Sequence, residues 1–243
     1  MRRIFTVRLF FLFLMSVSPL AHGGTLAISN YENIDISSSK ITSIERKARV
    51  AAVKIVGPLG SGSGSLMSHK GIQFVITAQH VVADDAGGIY IIQKGSESHI
   101  GVIVYADASN DIAILFLKKE FKSIAPMKYY PTKKIPDPGD LITYSGYPSD
   151  HELLTYRGRV AGYENLKGSG KQILLHTFGW YGCSGSAIFN SYGKIVGILW
   201  GIDVEKGLPI ESLIWVSPIQ NLDIDVVISN ICNVTIKKYR ACG

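Results

Sequence analysis

Two series of short β-branched and aromatic runs, separated by one proline-rich segment, constrain this chain more than any other feature. The first reads RVAAVKIVG, FVITAQHVV, IYIIQK, HIGVIVYA and DIAILFL; the second reads DLITYSGYP, LLTYRGRVAGY, QILLHTF, SAIFN, KIVGILWG and LIWVSP. Short runs of this composition, bounded by glycine, proline, serine and asparagine, suit the strands of a sandwich or barrel. Between the series lies YYPTKKIPDPGD (Tyr129–Asp140), whose three prolines read as a linker. No long helical period interrupts the strands before Asn221. Beyond it, Ile224, Val227, Ile228 and Ile231 recur at helical spacing, which predicts a short C-terminal helix despite their β-branching. The chain therefore reads as all-β: a first β-barrel over 49–128, the linker over 129–140, a second β-barrel over 141–220, and a C-terminal helix and tail over 221–243.

The first 23 residues stand apart. Arg2, Arg3 and Arg8 flank the short apolar run Leu9–Val17, and Ala21 and Gly23 offer small residues for cleavage. That pattern is a secretory signal peptide, and the apolar run is short for a bilayer. The mature chain is expected to be secreted or periplasmic, with no stable membrane span once the leader is removed. Residues 24–48 are polar, serine-rich and weakly periodic, so they read as a flexible or surface-lying segment. Its IERKAR end (Ile44–Arg49) offers basic residues to a trimming protease.

Charge and cysteine usage narrow the functional classes. The formal net charge is +6, and the leader's three arginines supply half of it. No basic stripe interleaved with aromatics occurs, so no nucleic-acid partner is expected, and KKYR (Lys237–Arg240) reads as a solvated tail. Neither C-x-x-C nor H-E-x-x-H is present, so neither a metal nor another cofactor is expected. GSGSGS (Gly60–Ser65) lacks the G-K-[ST] of a phosphate loop and reads as a turn or hairpin edge. Three cysteines leave two options: Cys232 and Cys242 close a small loop beside an unpaired Cys183, or all three stay reduced.

The stretch YGCSGSAIFN (Tyr181–Asn190) displays a serine between two glycines, with a cysteine directly before it. Acyl transfer by either side chain needs a base within hydrogen-bond reach and a carboxylate to orient that base. Every histidine precedes Ser184, and Ser186 stands where a nucleophile elbow, G-x-S-x-G, has its last glycine. Both features argue against an α/β-hydrolase. A His…Asp…Ser order is available instead. His80 ends the strand-like run in TAQHVV, and Asp111 stands where the turn of SNDIAIL enters an apolar run, with Asp107 a nearby substitute.

These three stretches resemble the triad motifs of the chymotrypsin-like (trypsin-like) serine proteases. The likeness runs from roughly Arg49 to Leu222. GSGSGSLMSHKGIQFVITAQHVV resembles the glycine-led hairpin that delivers the base, and SGYP and SAIFNSYGKIVGILWG resemble the second barrel of glutamyl-endopeptidase and HtrA-type protease domains. The resemblance implies two antiparallel six-stranded β-barrels with the active site between them. It implies an endopeptidase acting on a protein or peptide, with Ser184 as nucleophile, His80 as base and Asp111 orienting that base. The amides of Gly182 and Ser184 would form the oxyanion hole, and Trp200-Gly201 the edge that pairs with an extended substrate.

Three departures qualify the resemblance. Cys183 stands where the digestive and clotting branches carry an aspartate for the freed N-terminal ammonium. A neutral thiol cannot make that ion pair, so activation by that switch is not expected. Viral cysteine proteases of this fold resemble G-x-C-G-[GS], whereas Tyr181 and Ser184 occupy those glycine positions here; serine is the expected nucleophile. Leu199 replaces the histidine of glutamate-reading relatives, and Phe178 stands near where trypsin-like enzymes keep an acid. Together they favour an apolar or small residue before the scissile bond, while His176 nearby supports an acidic or amide preference. No peptide-binding domain of the HtrA type is expected after the last run. A non-catalytic binding module on this fold and an esterase using the same serine stay open as alternatives.

Overall fold

The computed structural model describes residues 40–58, 60–82, 88–235, 239 and 242. The leader lies outside the described residues, as does most of the polar segment that follows it. Helix α1 (Ser43–Ala51) opens the described chain, started by a capping box in which Thr42 and Glu45 satisfy each other's backbone amides. IERKAR is therefore helical rather than loose. Glu45, Ala48 and Ala51 face inwards, and Glu45 accepts from Arg157 Nε at 2.7 Å. That guanidinium, with Thr42, holds the Glu45 carboxyl down at about 2. Lys94 closes the helix by donating to the carbonyls of Arg49 and Ala52.

The first barrel comprises β1 (Ala52–Gly57), β2 (Gly60–His69), β3 (Ile72–Thr77), β4 (Ile89–Lys94), β5 (Glu97–Asp107) and β6 (Ile112–Leu117). The order β1-β4-β5-β6-β3-β2 closes through the β1–β2 pair, and a short β7 (Met127–Lys128) lies parallel to β2. The second barrel comprises β8 (Leu141–Gly146), β9 (Leu154–Leu166), β10 (Gly170–His176), β11 (Ala187–Asn190), β12 (Ile195–Glu205) and β13 (Leu208–Pro218). It closes in the order β10-β13-β12-β11-β8-β9. Helix α2 (Ile224–Val234) follows, capped by Asp223, and buries Val227, Ile228 and Ile231 as its spacing predicts. A Cys232–Cys242 disulfide ties its end, and Cys183 is free and buried.

Three apolar clusters explain why β3 and β6 are nearly continuous hydrophobic runs. Ala113, Leu115 and Leu117 of β6 fill the first barrel with Val75 of β3. The alternate residues Ile112, Ile114 and Phe116 face a layer shared with α1, α2, Phe189 and Ile198. Tyr144, Ile173, Ile188 and Leu199 fill the second barrel. Strands buried on both faces lose the polar–apolar alternation of a half-exposed strand. The linker is pinned in the same way: Tyr129 packs edge-on to His69, and residues 130 and 132 exchange backbone bonds with Ile195. Among the described residues, no helix is long and apolar enough to cross a membrane.

Candidate active site

β3 delivers His80. Its last residues, Ile76 and Thr77, and the following Ala78 are buried, and the chain then turns in a short 3-10 segment, Gln79–Val82, that projects His80 from the barrel rim. Asp111 meets it from the start of β6. One carboxylate oxygen accepts from the His80 backbone N–H at 2.8 Å, and the other lies 2.7 Å from Nδ1. A carboxylate can only accept, so Nδ1 carries a proton, and in the neutral imidazole Nε2 then keeps the lone pair. Asp111 sits in the left-handed region at φ 51°, which asparagine and aspartate tolerate better than most residues. Asp107 is occupied elsewhere: its carboxylate accepts from the amides of Ser109 and Asn110 and from the Asn110 side chain. It builds the turn that presents Asp111.

The loop that carries Ser184 runs between β10 and β11. Each carbonyl from Trp180 to Ser184 is engaged: Trp180 by Cys183 N–H, Tyr181 by Ser149 N–H at 2.8 Å, Gly182 by Ser63 Oγ at 2.6 Å, Cys183 by Ser186 N–H, and Ser184 by Ser63 N–H at 2.9 Å. Among the described residues, the amides of Gly182 and Ser184 donate to nothing. In a trans peptide the N–H points opposite the preceding carbonyl. Anchoring Tyr181 and Cys183 by their carbonyls therefore turns both free amides to the other side. Glycine is required at 182, where φ is +90° and a Cβ would stand 2.5 Å from the Tyr147 carbonyl.

His80, Ser184 and Gly182 line one cleft of about 280 Å³, with Val81, Tyr90 and Tyr181. Among the described residues that line it, none is an aspartate, glutamate, lysine or arginine. Cys183 faces away, into the second barrel beside Tyr144. Burial pushes its thiol up, so it stays protonated and poorly nucleophilic at neutral pH.

The structure thus brings His80, Asp111, Ser184 and Gly182 together. It does not bring Phe178 or Leu199 to that cleft. Phe178 stacks on Tyr156 and lines outer depressions with residues such as Trp180 and His176. Leu199 is 1% exposed, because its side chain completes the second-barrel core; its backbone bonds Gly185 and Ser186 beside the nucleophile. Trp200 donates from its indole to Gln172, and Trp200-Gly201 passes beyond the last β11–β12 pair, Ala187↔Ile198. GSGSGS opens strand β2, the hairpin edge and not the turn of the two options, and Ser63 within it joins the site although no motif names it. Its signal is the small-residue run: a Cβ on Gly62 or Gly64 would strike Val81 or Val75 and Ile55.

Two closed antiparallel barrels, with a His–Asp pair and a glycine-flanked serine at their junction, define a chymotrypsin-like fold. The family model of the trypsin-like peptidase domain matches residues 62–198, more than half of the sequence, and the chain belongs to that family. It is 26% identical over 202 residues to the serine endoprotease DegS of Salmonella typhimurium, covering 76% of this chain and 55% of the relative. The DegS of Escherichia coli K12 is 28% identical over 141 residues, covering 56% of this chain and 38% of the relative. The chain thus spans about half or less of the curated relatives it matches. Among solved structures, the Rv3671c protease from M. tuberculosis in its active form aligns at TM-score 0.62 and 17% identity, over 85% of this chain and 90% of that one. The HtrA-type protease AlgW, solved with a decapeptide, aligns at 0.64 and 20% identity, over 77% of this chain and 66% of that one.

Proposed function

We propose that the chain is an exported serine endopeptidase acting through a His80–Asp111–Ser184 triad. The observation that carries this reading is the pairing of His80 with Asp111 through both Nδ1 and the backbone amide, beside a serine whose loop leaves two amides unengaged. Ser184 Oγ attacks the peptide carbonyl while His80 Nε2 takes its proton. The amides of Gly182 and Ser184 stabilise the oxyanion. The C–N bond breaks as His80 gives that proton to the leaving amine, and water then cleaves the acyl-serine by the same route. Asp111 stays ionised and stabilises the imidazolium.

The substrate is a protein or peptide segment in extended form, with Trp200-Gly201 as the edge it pairs with. The uncharged cleft lining favours an apolar or small residue near the scissile bond. Export rests on the leader pattern, and the periplasm or the cell exterior is the compartment it implies. The test is labelling of the purified mature chain by a fluorophosphonate, together with cleavage of casein and of a peptide panel. Labelling and proteolysis that vanish in Ser184→Ala are expected. Equal labelling of wild type and variant would overturn the assignment, and ester turnover without peptide cleavage would replace endopeptidase with esterase.

A further inference from the structure

Ser63 makes two hydrogen bonds to the loop that carries Ser184, as many as join His80 to Asp111. It belongs to β2 of the first barrel, 119 residues away in sequence from the carbonyl its hydroxyl reaches, and is fully buried. Its hydroxyl donates to Gly182 O at 2.6 Å and accepts from Tyr147 N–H at 2.9 Å, so its single proton is committed. Its own N–H donates to Ser184 O, and its carbonyl accepts from Thr77 Oγ1 at 2.8 Å. Thr77 ends β3, three residues before His80.

Three successive peptides, 181–182, 182–183 and 183–184, are thus each held through the carbonyl. Ser149 and Ser186 hold the outer two, and both donors belong to the second barrel. The middle one, lying between the two free amides, donates its N–H to Trp180 O within the loop, and its carbonyl is held by the Ser63 hydroxyl alone. If that peptide rotates, the Gly182 amide and the Ser184 amide lose their common direction. The Tyr147 bond adds to this, because it fixes the start of the turn from which Ser149 (φ 46°) holds the neighbouring Tyr181 carbonyl. No other first-barrel side chain holds the carbonyls of this loop among the described residues.

We propose that the Ser63 hydroxyl is a positioning residue for the reaction. It sets the oxyanion amides in register with the barrel that carries His80, so that the base and the electrophile site are aligned by one side chain. This rests on the Ser184 endopeptidase reading. It concerns the transition state and not substrate affinity, because Ser63 holds the Gly182 and Ser184 carbonyls rather than any group that binds peptide in the ground state.

Ser63→Ala and Ser63→Gly both delete the hydroxyl while keeping the two backbone bonds. Removing an oxyanion donor outright costs about 10²–10³ in kcat, and freeing the peptide between two donors is expected to cost about 10- to 100-fold. KM is expected to stay within about threefold of wild type. Inhibition by a peptide aldehyde, which needs the hole, should weaken in parallel with kcat. Binding of the same peptide sequence, measured in a Ser184→Ala background with and without Ser63→Ala, should not change. Three results would overturn the role: kcat near wild type in either folded variant, a loss residing in KM and in ground-state binding, or failure of both variants to fold, which makes Ser63 structural. If wild type itself is not labelled by a fluorophosphonate, the endopeptidase reading fails first; if it is labelled and Ser63→Ala matches it in turnover, only this inference fails.

Discussion

On the first-barrel side of the cleft, His80 is fixed by two hydrogen bonds to one carboxylate, and both partners reach solvent, with side chains 46% and 21% exposed. On the second-barrel side, the nucleophile is fixed by backbone: a run of carbonyls held by residues from β2, from the β8–β9 turn and from the loop itself. The first arrangement depends on which side chain occupies a position. The second depends on which positions can approach closely, and hence on glycine and serine where larger residues would collide. Substitutions should therefore damage the two sides differently, through chemistry on one and through geometry on the other.

The largest difference is expected between two neighbouring carboxylates. In Asp111→Asn an amide NH₂ or carbonyl faces His80, the wrong imidazole tautomer becomes available, and kcat should fall by about 10⁴. Asp107→Asn keeps an oxygen for the amides of Ser109 and Asn110, so kcat should fall by less than about tenfold. Steady-state peptide hydrolysis on both variants checks the pair. Comparable losses would mean that Asp107 orients His80 as much as Asp111 does, against the observed bonding.

Gly182→Ala probes the other side without changing any functional group. The added methyl meets the Tyr147 carbonyl at 2.5 Å in a conformation that disfavours a side chain. The expected loss is about 10²–10³ in kcat with retained fold and KM, the size of a lost oxyanion donor. Wild-type turnover in Gly182→Ala would show that the amide direction inferred from the carbonyl anchors is not needed.

Legibility in the sequence follows the same division. The proposed roles of His80 and Ser184 rest on local motifs and so are legible, and the two strand series announced the barrels. Asp111 is the preferred carboxylate and Asp107 a substitute that the sequence cannot dismiss, because the distinction lies in which carboxylate is consumed by a turn. Ser63 was hidden: its partners lie 84 and 119 residues away, and G-S-G-S-G-S has no period of its own. Leu199 was placed at the substrate by motif alone, whereas its side chain faces the core. Helix α1 was legible in principle, since T-x-x-E at Thr42–Glu45 is a capping signature, but a polar, serine-rich context masked it.

Helix α1 also braces the second barrel: Arg49 Nη1 donates to Leu153 O at 3.1 Å and to Thr155 Oγ1 at 3.0 Å, next to the turn that holds Tyr181. Glu45 secures the helix to Arg157 of β9. Its folded value of about 2 lies below the ordinary 4.5, so folding favours the ionised form. The stability it contributes is complete above about pH 4.5 and is lost as the pH falls towards 2. Glu97, held down by Ser123 and His99, titrates in the same window. Thermal melts from pH 2 to 6 should therefore show a shallower acid limb in Glu45→Gln than in wild type, not a flat one. An unchanged limb would show that the helix is held by its apolar face alone.

The smallest effect on turnover is expected at Cys183, directly beside the nucleophile. Chain neighbours usually share a fate in an active site, yet the peptide geometry sends these two side chains in opposite directions. Ser184 faces the cleft and Cys183 the second-barrel core, where burial keeps the thiol protonated. Cys183→Ala removes one buried sulfur and its contact with Tyr144 Oη. About 1 kcal/mol of stability should be lost to the small cavity, with kcat within about twofold of wild type. Chemical denaturation and steady-state kinetics on the same preparation separate the two. A kinetic loss as deep as that of Ser184→Ala would make the thiol part of the chemistry, because a cavity in the barrel interior cannot remove a nucleophile held by carbonyl anchors on its other side.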